Sequence, residues 1–366
     1  MSLVATSSSR LTSCQAPKWL VPVIGLSALI LGAALSALNG FNLGLWALFT
    51  FLIFVTASPF AIGAIEGARK GKDAFARILV YGAFLLSLIP LISVLYVVIA
   101  KGVPGLSSNL LTTSMNGVTG VHDNRAATGE APILGGIYHA IIGTLETTLL
   151  ATLISVPVGL MTAIYLVEYA TGGILARSIT FFVDVMTGIP SIVAGLFAAS
   201  FFTWAFNDPS MRMGSVAALA LSVLMIPTVV RNAEEMLRIV PNELREASYA
   251  LGVRKWRTIT KVVIPTAISG IASGVTLAIA RVIGETAPIL VTAGFATSIN
   301  WNAFGGWMAA LPTYIYYQIM TPTSPSSAAI SETRAWAAAL VLIVIVMLLN
   351  LIARLVAKMF APKTGR

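Results

Sequence analysis

The sequence predicts an all-α polytopic membrane protein, and three observations carry that prediction. Of 366 residues, 57% are hydrophobic and only 10% charged, with a mean hydropathy of +0.89. Soluble domains carry about 25% charged residues, so an ordinary soluble enzyme is excluded. Eight apolar runs reach the roughly 20 residues that a helix needs to cross a bilayer. One long polar passage, Asn242 to Pro265, stands between two of them. The net charge of +9 fits loops held against anionic lipid better than a nucleic-acid partner.

In chain order, residues 1–18 form a Ser/Thr-rich tail with Arg10 and Lys18, expected on the cytoplasmic side. Trp19–Leu38 has the look of a signal peptide, with a basic flank and small residues near Ala37. It is long for that role and Leu43–Ile65 follows at once, so residues 19–65 read as a retained hairpin. A short basic loop, Glu66–Arg77, leads to the remaining spans: Ile78–Ala100, Ala140–Val167, Ile179–Phe206, Met213–Val230, Thr266–Ala293 and Ala335–Ala353. Two long connections, 101–139 and 294–334, separate them. The second carries Trp301, Phe304, Trp307, Tyr314, Tyr316 and Tyr317, as suits an interface.

Basic residues set the orientation. With the N-terminus inside and eight alternating spans, most of the 23 Lys and Arg residues fall inside, including Arg69, Lys70, Arg231, Arg245, Lys255 and Lys358. Lys101, Arg125, Arg212 and Arg334 fall outside. Both termini and the polar passage are therefore expected in the cytoplasm.

The polar passage reads as two helices around a glycine. Asn242 is expected as an N-cap, with Glu243 and Glu246 in the first turn, where the helix dipole favours negative charge. Leu244, Ala247, Ala250 and Leu251 recur at helical spacing, with Arg245 and Glu246 pointing elsewhere. Gly252 suits a left-handed stop. Arg254, Lys255, Arg257 and Lys261 open a basic helix expected to end near Pro265. A solvated linker is the bland alternative, but it needs no apolar stripe.

Charges inside spans ask for a partner or a wet cavity, at roughly 2.5–3.5 kcal/mol each. Arg281 and Glu285 are four residues apart, expected on one helical face with Gly274 and Ala278, and Pro288 loosens the helix one turn on. Either they form a structural ion pair, or they line an anion path. Arginine's planar fork matches two oxygens of an oxyanion, and Glu285 accepts a hydrogen bond only from a protonated one, such as phosphate. Arg231, expected to close its span, is an interfacial anchor or an exit-side anion ligand. Asp184 reaches an inner interface on this reading, and Glu146 has no assigned role.

No catalytic residues, metal site or cofactor are expected. Gly67–Lys72 is one residue short of a phosphate loop and runs into Asp73. His122 and His139 lack metal spacing, with His139 either a proton carrier or an interface residue. Cys14 is the one cysteine, an inert thiol or a lipid anchor.

The passage Glu246-Ala247-Ser248, with Gly252, Val262, Ile264 and Pro265 following, resembles the EAA loop of ABC importer permeases. Ser248, Val262 and Ile264 are its departures. Three further runs, Gly188–Phe197, Ile226–Gly252 and Ala280–Leu290, narrow the resemblance to the PstA type of permease subunit in phosphate ABC transporters. That resemblance implies a six-helix permease domain over residues 76–360, with a coupling loop at 242–265. It also implies a PstC-like second permease subunit, a PstB-like ATPase dimer, a PstS-like phosphate-binding protein, and ATP hydrolysis only in the partner. Arg231, Arg281 and Glu285 fall at the family's path positions. Glu246, Ala247, Gly252 and Pro265 fall in the loop that engages the ATPase. The competing functions are a permease for sulfate or molybdate, an ATP-independent channel or secondary transporter, and a membrane scaffold or sensor.

Overall fold

The computed structural model describes residues 15–38, 40–170, 172–208 and 210–360. Cys14, Arg10, Lys363 and Arg366 lie outside these residues, as does most of the expected N-terminal tail. The described chain is helical, without strands, and falls into two compact units divided between Tyr96 and Val97.

The first unit holds α1 (Leu20–Leu38), α2 (Leu43–Glu66) and most of α3 (Ala68–Gly102). α1 and α2 form the expected hairpin. Asn42 caps α2 through the amide of Gly44, and a Cβ on Gly32 would collide with Thr50, so the helices pack closely there. Gly67, with φ +97°, makes the sharp passage from α2 into α3.

The second unit begins with α4 (Ser108–Thr112) and α5 (Gly120–Ala127), then the long α6 (Tyr138–Ile164), which continues into a π turn, Tyr165–Tyr169. α7 (Ile174–Thr187) and α8 (Ser191–Phe206) follow. α9 (Gly214–Ile239) is the central helix and the most buried of the membrane-length helices. Beyond it come α10 (Asn242–Ala250), α11 (Lys255–Thr258), a second π turn (Ile259–Val263), α12 (Ile264–Val282), α13 (Ala287–Thr292), α14 (Leu311–Met320) and α15 (Ala328–Phe360).

Among the described residues, seven helices are long and apolar enough to cross a membrane, with α7 and α8 as an eighth candidate only if taken together. The expected span Ile179–Phe206 is therefore a bent helix pair and not one straight helix. The chain bends by 109° between α7 and α8. The turn Gly188-Ile189-Pro190 explains it, because proline disfavours helical backbone at the residue before it and cannot continue the hydrogen-bond ladder.

The core of this unit is built around α9 by close helix approach. Ala217, Ala218, Leu221, Met225 and Val229 of α9 meet Ala151 of α6, Ala278 and Val282 of α12, and Ile289 of α13. Glycine permits the contacts: a Cβ on Gly274 of α12 would lie 2.5 Å from the Asn232 Cβ, and one on Gly159 of α6 would lie 2.7 Å from Val229. Gly274 and Ala278 thus pack against α9 rather than line a free wall.

Candidate functional site

The polar passage folds as helix, glycine and helix. Gly252 takes φ +74°, and its amide bonds the Tyr249 carbonyl. Two details differ from expectation. Asn242 is the first helical residue and Pro241 the cap position, so the Asn242 side chain instead accepts from Arg245 at 3.3 Å. The basic helix also does not end at Pro265. It widens into the π turn and runs on as α12, and the π turn lies just before Pro265, whose missing N–H interrupts the ladder there without ending the helix.

Leu244, Ala247, Ala250 and Leu251 are exposed, with Leu251 83% accessible, and Trp256 is exposed beside them. Glu246 is exposed as well, off that stripe. This is an apolar patch rimmed by charge, the form of a docking face.

Arg245 points inward instead. Its guanidinium bonds the Glu168 carboxylate at 2.8 and 3.1 Å and the carbonyls of Leu237 and Val240 at 2.9 and 2.6 Å. Glu168, in the π turn that ends α6, is almost fully buried. The next residue, Tyr169, has the Lys255 ammonium 5.0 Å from its ring centre. Ser248, a departure from the EAA pattern, has a buried 2.8 Å hydrogen bond with Thr258 that joins α10 to α11. Three side-chain contacts, Arg245–Glu168, Lys255–Tyr169 and Ser248–Thr258, therefore lock the passage to itself and to the end of α6.

Arg281 and Glu285 do not share a helical face. α12 ends at Val282, and Glu285 lies in the turn before α13. Pro288 is the physical cause, since its ring opposes a helical carbonyl at position 284. Among the described residues Arg281 and Glu285 form no ion pair with each other. Arg281, exposed at the end of α12, approaches the Thr228 hydroxyl of α9 at 3.5 Å.

Arg231 sits three residues after Thr228, so both arginines converge on one face of α9. It does not close its helix, which continues to Ile239. Two carboxylates hold it: Glu234 on its own helix at 2.9 Å, and Asp184 of α7. Glu234 also bonds Arg238 at 2.6 Å. Asp184 therefore meets an arginine. A cleft of about 360 Å³ lies beside this network, lined by Arg177, Thr180, Glu234 and Arg238 together with Leu166 and Gly172.

At the other end of α6, Asp123 and Arg334 form a fully buried bidentate pair that sequence reasoning missed. Thr323 donates to the same carboxylate, and Arg334 also bonds the Leu134 carbonyl at 2.7 Å. Burial raises the Asp123 pKa, but the hydrogen bonds from Arg334 and Thr323 outweigh it and hold the carboxyl below its usual value. The pair pins the connection 101–139 to the start of α15. His139, expected at an interface, is buried with its ring 5.6 Å from that of Tyr314.

A family model described as binding-protein-dependent transport system inner membrane component matches residues 155–366. The chain is 47% identical over 289 residues to the phosphate transport system permease protein PstA 1 of Mycobacterium tuberculosis, covering 79% of this chain and 88% of that protein. It is 45% identical over 288 residues to the corresponding PstA protein of Mycobacterium leprae, covering 78% and 89%. A solved bacterial ABC transporter involved in the import of the polysaccharide alginate aligns over 81% of this chain and 100% of its own, at 14% identity and TM-score 0.49.

Proposed function

Because the chain belongs to the binding-protein-dependent transport system inner membrane components, we propose that it is the PstA-type permease subunit of an ATP-driven phosphate importer. It is a multi-pass inner membrane protein that works with an ATPase and other subunits. The finer partners are a PstC-like permease completing the path, a PstB-like ATPase dimer at the α10–α11 surface, and a PstS-like binding protein on the opposite side. The chain itself is a pore component, and hydrolysis belongs to the ATPase. Both termini and the α10–α11 passage lie on the cytoplasmic side, where most basic residues fall.

The observation that carries the path reading is the convergence of Arg281 and Arg231 on the Thr228–Arg231 face of α9. Two guanidinium groups on different helices replace water around an oxyanion with fixed, charge-assisted donors. Glu285, just past Arg281, accepts the hydroxyl of a protonated phosphate and repels an anion that has none. At the coupling surface, Glu246 and Ala247 lie on the exposed side of α10. Gly252 sets the turn, and Pro265 seats the start of α12 behind it.

Radiolabelled phosphate uptake in cells tests this. Arg281→Ala abolishes uptake while the subunit still assembles in the membrane, and excess sulfate leaves wild-type uptake unchanged. Unimpaired uptake in Arg281→Ala, or equal competition by sulfate, contradicts the reading.

A further inference from the structure

The two carboxylates on Arg231 are not equivalent. Glu234 is three residues away on the same helix, its side chain is 9% accessible, and it is shared with Arg238. It is a fixed partner. Asp184 comes from a different helix, its side chain is 59% accessible, and Arg231 is its one ion-pair partner among the described residues. It is an exchangeable one. With Asp184 in place, the four ion-paired groups Arg231, Arg238, Asp184 and Glu234 sum to zero charge, so the paired set adds nothing to the pull of Arg177 and Arg281 on an anion. With Asp184 withdrawn the sum is +1, and a guanidinium edge is free to bind oxyanion oxygens in the carboxylate's place.

α7 is placed to make that exchange. At one end it meets the bend at Gly188-Ile189-Pro190. At the other, Gly172 (φ +84°) and Gly173 precede its first turn, with open space around both glycines. Glu168 and Tyr169, in the π turn that ends α6, are the residues that hold Arg245 of α10 and Lys255 of α11. Leu166 and Ala170 at the end of α6, Ala176 and Thr180 of α7, and Glu234 of α9 line one cleft, so the residues that hold the coupling surface adjoin the helix that carries Asp184.

We propose that α7 is a gate whose Asp184 carboxylate occupies Arg231 as a stand-in for phosphate, and that displacement of α10–α11 withdraws it. The proposal rests on Arg231 being a path residue and adds the regulation of that site. No covalent step is involved. Phosphate and Asp184 compete for the same donors, so only a movement that separates α7 from α9 lets the anion pass.

The test is ATP-independent phosphate efflux from preloaded liposomes containing the full transporter, with wild type, Asp184→Asn, Asp184→Ser, Asp184→Glu, Arg231→Gln and the double variant Asp184→Asn/Arg231→Gln. Removing a half-exposed charge partner raises efflux about fivefold in the two neutral variants, the range of a partly accessible ion pair. Asp184→Glu stays tight, and the double variant loses the leak. A merely structural pair predicts no leak in any of them. Wild-type uptake by Arg231→Gln overturns the path reading itself. Loss of uptake in Arg231→Gln with no leak in either neutral variant overturns the gate alone. Failure of both neutral variants to assemble also overturns it, since Asp184 is then a strut.

Discussion

Asp123–Arg334 and Asp184–Arg231 are both aspartate–arginine pairs that join separate segments, yet their surroundings assign them opposite work. Asp123 and Arg334 are sealed at 0% and 1% accessibility, with Thr323 and the Leu134 carbonyl filling further hydrogen-bonding capacity. Asp184 and Arg231 are 59% and 35% accessible, and Asp184 spends its carboxylate on one arginine. A buried pair cannot release one partner without stranding a charge, whereas a pair left open on one side can trade its partner for another anion. The first is a clamp near the start of α6. The second is a contact that can be exchanged, toward the end that carries α10 and α11.

Mutations that break this contrast rank by burial. Asp123→Ala strands Arg334 and lowers stability by about 3–5 kcal/mol, read as thermal unfolding of the purified protein. A loss below about 1 kcal/mol would mean that the clamp is wetter than its geometry. The same pair has a pH signature. Because the folded Asp123 carboxyl is held below its unfolded value of about 3.9, its contribution is complete above that value. It disappears only as pH falls through the lower folded value, so wild type keeps this stabilisation at pH 5.

A middle effect tests packing without charge. Gly274→Leu drives a side chain into Asn232, separates α12 from α9 and destabilises by about 1–3 kcal/mol. It also moves Arg281 away from Thr228, so uptake falls further than stability does. The smallest effect is expected at Lys101→Ala. Its pair with Glu332 is about half-exposed on both sides, and unfolding stays within about 0.5 kcal/mol of wild type.

Local features were the legible ones. The helix–glycine–helix at Asn242–Pro265 follows from spacing and from Gly252, and the membrane-length helices follow from composition. Direction was not legible. Hydropathy counts apolar residues without seeing that Pro190 turns the chain, so α7 and α8 looked like one straight helix. Pro288 hid a break in the same way, and Glu285 was placed on a helix that ends at Val282. The ion pairs were invisible for a different reason. Arg245 lies 77 residues from Glu168, and Arg334 lies 211 from Asp123, distances at which no periodicity connects a pair. Arg245 could be placed only off the apolar stripe, since one helix alone cannot reveal what packs against it.

The central claim is that the buried Glu168–Arg245 contact carries motion from the coupling surface into the path. Phosphate uptake and ATP hydrolysis measured together in the reconstituted transporter carrying Arg245→Gln test it most directly. The account predicts that hydrolysis continues while the phosphate moved per ATP falls steeply. An unchanged ratio of phosphate to ATP would contradict it.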